Sequence, residues 1–307
     1  MTISEQPASQ PVPHRALRVR RVRFAHPAGA LRRHYADGDL IMSHTVAVLS
    51  ATFPPGEDFF VRSVRHYRDR ITDPELAAQV RGFIGQEVVH SREHDHLNKA
   101  LRDLGYRTDW THRFIEHALA VADRTLPPRV RLAFTAGLEH YTATIAEQLL
   151  TSKRAQAMLG DNQAGRILLW HALEESEHKA VAFDVYRATG GGERLRIWSM
   201  RVISTLLLLH VVLATTLSVL GDRATYTPFR LPRSLARIPR SPFVARDVIR
   251  RLRAYNRPGF HPDDFDNTAL LERWRTELFG PEGTLVAHAN YRDAPEPPDT
   301  PEPPPGD

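Results

Sequence analysis

Two segments of the chain each place a glutamate and histidines on what reads as the apolar stripe of a helix. In GFIGQEVVHSREHDHLNKAL, Phe83, Glu87, His90, His94, Leu97 and Leu101 fall within about 80° of arc at helical periodicity. In LLWHALEESEHKAVAFDVY, Leu168, His171, Glu175, His178, Ala182 and Val185 form one stripe in the same way. A carboxylate and imidazoles on a buried face cost several kcal/mol unless partnered. With Glu-x-x-His present twice, a metal is the economical partner.

Paired Glu-x-x-His helices are used by di-metal carboxylate bundles, which need one more glutamate from each of two further helices. Between Gly38 and Pro74 the only glutamate is Glu57, flanked by Phe53, Phe60, Val61 and Val64. Between the two motif helices, Glu139 lies on a stripe of Leu132, Ala136, Ala143, Ala146 and Leu150, with Glu147 as a fallback. The order Glu57, Glu87-x-x-His90, Glu139, Glu175-x-x-His178 has intervals of 30, 52 and 36 residues. The outer two suit helix pairs and the central one a crossover. His171 reads as a seventh ligand or as a support for one. His94 is divided between ligand, supporting and core roles, and His140 reads as a packing or supporting residue. Glu93 and His96 point away from the stripe and are expected to be solvated. His90-Ser-Arg-Glu93-His94 also matches a His-x-x-Glu-His zinc-peptidase signature, which would leave His171, Glu175 and His178 without a shared purpose.

The expected fold is all-α, a ferritin-like bundle with extra helices. Strand alternation is absent, and helices are predicted near 39–52, 55–71, 74–104, 111–123, 127–152, 161–189, 194–220, 243–254 and 267–278. Residues 17–285 read as one helical di-metal domain. A disordered lead is expected over 1–16 and a proline-rich acidic tail over 286–307.

The chain has no cysteine, which removes disulfides, thiolate sites and iron–sulfur clusters and leaves His, Asp and Glu to hold any metal. Carboxylate-rich sites with some imidazole suit iron, with manganese an alternative and zinc less suited. The net charge of +5 is carried almost wholly by arginine. No aromatic-interleaved basic run or nucleic-acid motif accompanies it, so nucleic acid is not an expected partner. No apolar signal-peptide core opens the chain, and a cytoplasmic location is expected, with the inner face of the membrane an option.

That option rests on residues 202–220, VISTLLLLHVVLATTLSVL, which hold no formal charge and just suffice to span a bilayer core. Nine arginines follow between Arg223 and Arg253, a flank expected to stay cytoplasmic. The competing expectation is a bundle helix, about 197–220, buried all round and roofing the site. Either reading suggests an apolar or lipid-like small-molecule substrate. No feature of the sequence selects an oligomeric state.

The segments FPPGEDFF, FIGQEVVHSREH, GLEHYTA, WHALEESEHKAVAFDVY and RPGFHPDD resemble a bacterial family of predicted metal-dependent hydrolases, over roughly residues 15–280. That resemblance implies a metal site and metal-activated water. The ligand order, with His171 in His-x-x-x-Glu-x-x-His, is also similar in motif and spacing to the di-iron arylamine N-oxygenases. Three functions are therefore carried forward: a di-iron oxygenase or oxidase served by an electron donor, a metal-dependent hydrolase, and a non-enzymatic metal-binding bundle.

Overall fold

The computed structural model describes residues 17–27 and 29–289; the expected lead and residues 290–307 of the expected tail lie outside them. Eleven α-helices follow in chain order: α1 (Leu40–Arg65), α2 (Pro74–Asp103), α3 (Thr108–Thr125), α4 (Pro128–Thr151), α5 (Lys153–Leu159), α6 (Gln163–His178), α7 (Val181–Ala188), α8 (Glu193–Leu220), α9 (Arg230–Arg237), α10 (Arg246–Ala254) and α11 (Thr268–Phe279). The described residues contain no strand, only an isolated bridge between Val22 and Ala289. The all-α expectation holds. Near the C-terminal end, Val286–His288 forms a 3-10 turn, and His288 O accepts from Arg23 N.

α1 and α2 form an antiparallel pair, since Ser50 bonds Asn98 while Pro54, one turn later, bonds Ser91 on the preceding stretch of α2. α4 packs against α6 and α7, and α8 lies along α1 and α4. Asp73 caps α2 by accepting from Glu75 N, with Pro74 at the first helical position, where its missing N–H costs nothing.

Three boundaries differ from expectation. Residues 39–52 and 55–71 are not separate helices: α1 runs unbroken through Pro54 and Pro55. Pro54 has no N–H to give the carbonyl of Ser50, four residues back. Asn98 Nδ2 donates to that carbonyl instead, at 2.9 Å, so a side chain of α2 completes the ladder of α1. The predicted helix 161–189 divides between α6 and α7 at Lys179, which is buried and reaches Glu147 and the carbonyl of Phe265. α5 and α9 are additions, on segments too short for periodicity to identify.

The segment 17–27 is not helical. It crosses the outer face of α2, and two glycines admit it: a Cβ at Gly82 would stand 2.5 Å from Leu17 Cβ, and one at Gly85 2.5 Å from Val19 Cγ2. This cover corrects the reading of Glu93 as solvated. Glu93 is wholly buried and accepts from Phe24 N and from the Arg92 guanidinium. His96 is about half exposed, as expected.

α8 also departs from its expected role as an enclosed roof. Most of its outer face is exposed, while Arg196, Ser199 and Thr215 are among the residues it buries. It is the one described helix long and apolar enough to cross a membrane.

Candidate metal centre

Inside the bundle, α1, α2, α4 and α6 converge their acidic and imidazole side chains. Glu87, His90, Glu175 and His178 bring one ligand atom each within 4.8 Å of one another, and so do Glu57, His94 and His171. All seven are buried. Glu175 joins the two groups: its Oε1 lies 2.9 Å from His171 Nε2, 3.7 Å from His178 Nε2 and 3.8 Å from His90 Nδ1. Glu57 Oε1 stands 3.6 Å from His171 Nε2.

Donor atoms of Glu57, Glu87, Glu139, Glu175, His90 and His178 are positioned but unpartnered. Both carboxylate oxygens of Glu57 and of Glu87, one oxygen each of Glu139 and Glu175, His90 Nδ1 and His178 Nε2 are buried without a hydrogen bond. Buried polar atoms are normally satisfied, and this many convergent orphans fit a site for cations. The second ring nitrogen of each histidine is engaged, which is how metal-binding imidazoles are oriented. His90 Nε2 donates to Glu174 at 2.9 Å, turning Nδ1 inward. His178 Nδ1 donates to Glu139 at 2.9 Å, turning Nε2 toward Glu87 at 3.3 Å.

His171 is set by a longer chain that starts at the proline gap. Because Asn98 Nδ2 donates to Ser50 O, its Oδ1 must accept, and it takes the Ser50 hydroxyl proton at 2.7 Å. Ser50 Oγ can then only accept from His94 Nδ1, at 2.9 Å. Burial drives His94 well below its usual pKa, so the ring is neutral and its Nε2 accepts from His171 Nδ1 at 2.7 Å. His171 Nε2 then faces the Glu175 carboxylate at 2.9 Å. An imidazole nitrogen and a carboxylate oxygen at that distance are joined by a proton or a metal ion.

Electrostatics agree. Burial, then Glu175, pushes Glu57 well above the usual carboxylate range; burial, then Glu139, does the same to Glu87. Burial lifts Glu139 to about 7 despite His178. Glu175 is also pushed up by burial, but His178 and His171 outweigh this and leave it below its ordinary value. Burial opposes the charge on His178, yet Glu139 and Glu175 raise it to about 9. Burial holds His90 well below its usual range. Such a nest of carboxylates stays ionised only with cations present.

Phe53 packs on His94 and His171, Phe83 on His178 and Trp170 on His90, so the walls around the ligand atoms are aromatic. His140 lies elsewhere: it donates to Arg251 O at 2.9 Å and packs on Tyr255 and Phe260, with burial lowering it to about 4. Glu147, the fallback, pairs with Lys179, Arg251 and Asn267. Glu93 faces the 17–27 segment, so the residues of the His-x-x-Glu-His signature do not assemble around one point.

Of the supports, His94 was legible in the sequence and the others were passed over. Glu174 holds His90 and is itself held by Arg20 at 3.0 Å, while Arg20 and Arg275 clamp Glu177. These partners come from distant segments and leave no local signal. Ser50 and Asn98 did leave one: a proline four residues after Ser50 frees a carbonyl, and Asn98 sits one turn beyond His94. A third buried group, His34, His44 and Asp222, has its ring nitrogens satisfied by Asp222, Ser218 and Arg230. It ties the end of α8 to α1.

Fold and site define an all-helical protein with a buried carboxylate–histidine cluster of metal-binding character. The chain matches the model of the family described as "Predicted metal-dependent hydrolase" over residues 18–266. It belongs to that family, as the sequence resemblance implied. No curated protein and no solved structure matches it.

Proposed function

We propose that the protein is a di-metal carboxylate enzyme of ferritin-like architecture, an oxygenase or oxidase acting on an apolar substrate, with iron as the expected metal. The observation carrying this reading is the set of convergent, unpartnered donor atoms divided into two groups that share Glu175. Glu57 and His171 would hold one ion, and Glu87, His90 and His178 the other, with Glu175 between them. Bound metals would supply a redox couple for dioxygen or a Lewis acid for water.

The chain's own residues prepare the site. Glu174 and the Asn98–Ser50–His94 chain keep one ring nitrogen each of His90 and His171 directed inward. Glu139 does the same for His178 and keeps a free oxygen beside it as a fourth carboxylate. Phe53, Phe83 and Trp170 limit water around the ligand atoms and favour an apolar substrate. The family description favours a second reading, in which the same centre activates water for hydrolysis.

The test is the metal content of protein expressed with supplemental iron, followed by anaerobic reduction and exposure to air with oxygen uptake recorded. Two irons per chain with oxygen consumed on re-oxidation support the oxygenase reading. Two redox-silent ions move the assignment to hydrolysis. Iron held and released without turnover of any substrate points to storage, and a single ion per chain overturns the two-ion centre.

A further inference from the structure

Helix α8 is built inside out. Its buried residues include Arg196, Ser199 and Thr215, whereas Leu208 and Leu209 are 66% and 60% exposed and Leu206, Val212, Leu213 and Leu217 share that outer face. The apolar surface continues sideways onto α3, where Phe114 stacks on His210 of α8 and Trp110 stacks on Phe114. It continues past the C-terminal end of α8 to Tyr226 and Phe229, each at least 70% exposed. Phe229 holds a left-handed backbone, φ 62°, a conformation that costs a bulky residue energy and persists where something offsets it. An exposed apolar face of this extent marks an interaction surface.

Along α8 and the segment that follows it the rim is cationic, whereas on α3 Asp109 and Glu116 stand exposed beside the aromatics. From Arg201 to Arg246 the only carboxylate is Asp222, and it is buried beneath His34 and His44. Arg201, Arg223, Arg233 and Arg240 lie exposed around the apolar stripe. A second copy docked symmetrically through this face would bring like charges together, whereas an anionic leaflet would neutralise them.

α8 is also fastened to the bundle along its length. His210 donates to Thr52 at 3.1 Å, Ser218 donates to His44 at 2.7 Å, and Arg196 reaches the carbonyl of Arg257 at 2.8 Å. Crossing a bilayer would break these bonds; lying in the interface keeps them. We propose that α8, with the exposed aromatics of α3 and of the turn before α9, lies in the plane of an anionic membrane leaflet and holds the protein there as a monotopic guest. This rests on the surface alone and is independent of the chemistry at the metal centre.

The test is co-sedimentation of the full chain with vesicles of phosphatidylcholine alone and of phosphatidylcholine mixed with phosphatidylglycerol. Binding is expected on the anionic vesicles and should weaken as salt is raised. Arg233→Gln/Arg240→Gln should lower partitioning at least about tenfold, and Leu208→Asp/Leu213→Asp should abolish it with helicity and metal content unchanged. A wild-type chain that leaves both vesicle types unbound overturns the proposal, whether it runs as a monomer or as a dimer that the leucine substitutions split. In the dimer case the face belongs to a second copy.

Discussion

Asn98 carries two hydrogen bonds that tie the α1 backbone to the imidazole chain, and its removal has a calculable cost. Asn98→Ala loses the bond to Ser50 O and the acceptor of the Ser50 hydroxyl, about 1 kcal/mol each, or more where a buried carbonyl is left orphaned, for a total of about 2–4 kcal/mol. The carbonyl is orphaned only because residue 54 is proline. Pro54→Ala returns an N–H four residues after Ser50 and should satisfy it. The double variant should therefore be less destabilised than the sum of the singles, with a coupling of about 1 kcal/mol or more. Urea denaturation of the four metal-free proteins measures the cycle. Additivity within about 0.5 kcal/mol would refute the claim that Asn98 stands in for the missing amide.

Glu174→Leu leaves His90 free to turn, and metal affinity measured by equilibrium dialysis should fall about 10–100-fold; unchanged affinity would remove Glu174 from the centre. Glu57, Glu87 and Glu139 have raised pKa values in the metal-free protein, so metal must displace protons and affinity should rise with pH through neutrality. Calorimetry in buffers of different ionisation enthalpy reads that release, and buffer-independent heats would contradict it. Without metal the raised carboxyls and His178, raised to about 9, bind more protons in the folded than in the unfolded state, whereas the lowered His90, His94 and His140 act oppositely until the unfolded imidazoles are neutral, above about 7. Stability of the metal-free protein should therefore fall as pH rises from about 7 to about 9, where His178, Glu57 and Glu87 lose their protons, and a rise in thermal midpoint over that interval would be inconsistent. Gly82→Ala forces a Cβ onto Leu17 and should cost about 1–3 kcal/mol, with limited proteolysis exposing segment 17–27; an unchanged melting curve and cleavage pattern would show that the contact is not needed.

The residues that gather at the centre were legible because each sits on a helix whose own periodicity marks its inward face. Glu87, His90, Glu175 and His178 needed nothing beyond their own segments. Glu93 was misread because its cover is an irregular strap admitted by Gly82 and Gly85, and no helical pattern announces a strap. The two prolines in α1 looked like a boundary because the side chain replacing the missing amide belongs to another helix. Glu174 and Arg20 are 154 residues apart, a pairing that only the tertiary fold creates. The composition of α8 was legible and its orientation was not, since an all-apolar run with scattered polar residues has no face to assign until its neighbours are in place.

The division of the cluster between two halves of the chain sets an order of events during synthesis. His94 and His171, which touch at the centre, lie 77 residues apart, an interval of roughly 4–15 seconds at typical elongation rates. Throughout that interval the α1–α2 hairpin presents Glu57, Glu87 and His90 without the partners that would complete a coordination shell. The nascent chain can offer an ion only an incomplete, exchangeable grip until His178 has emerged and α6 has docked. Under the proposed two-ion centre, metal selection would fall to a nearly finished protein, and the supply of ions that matters would be the one met after the bundle closes.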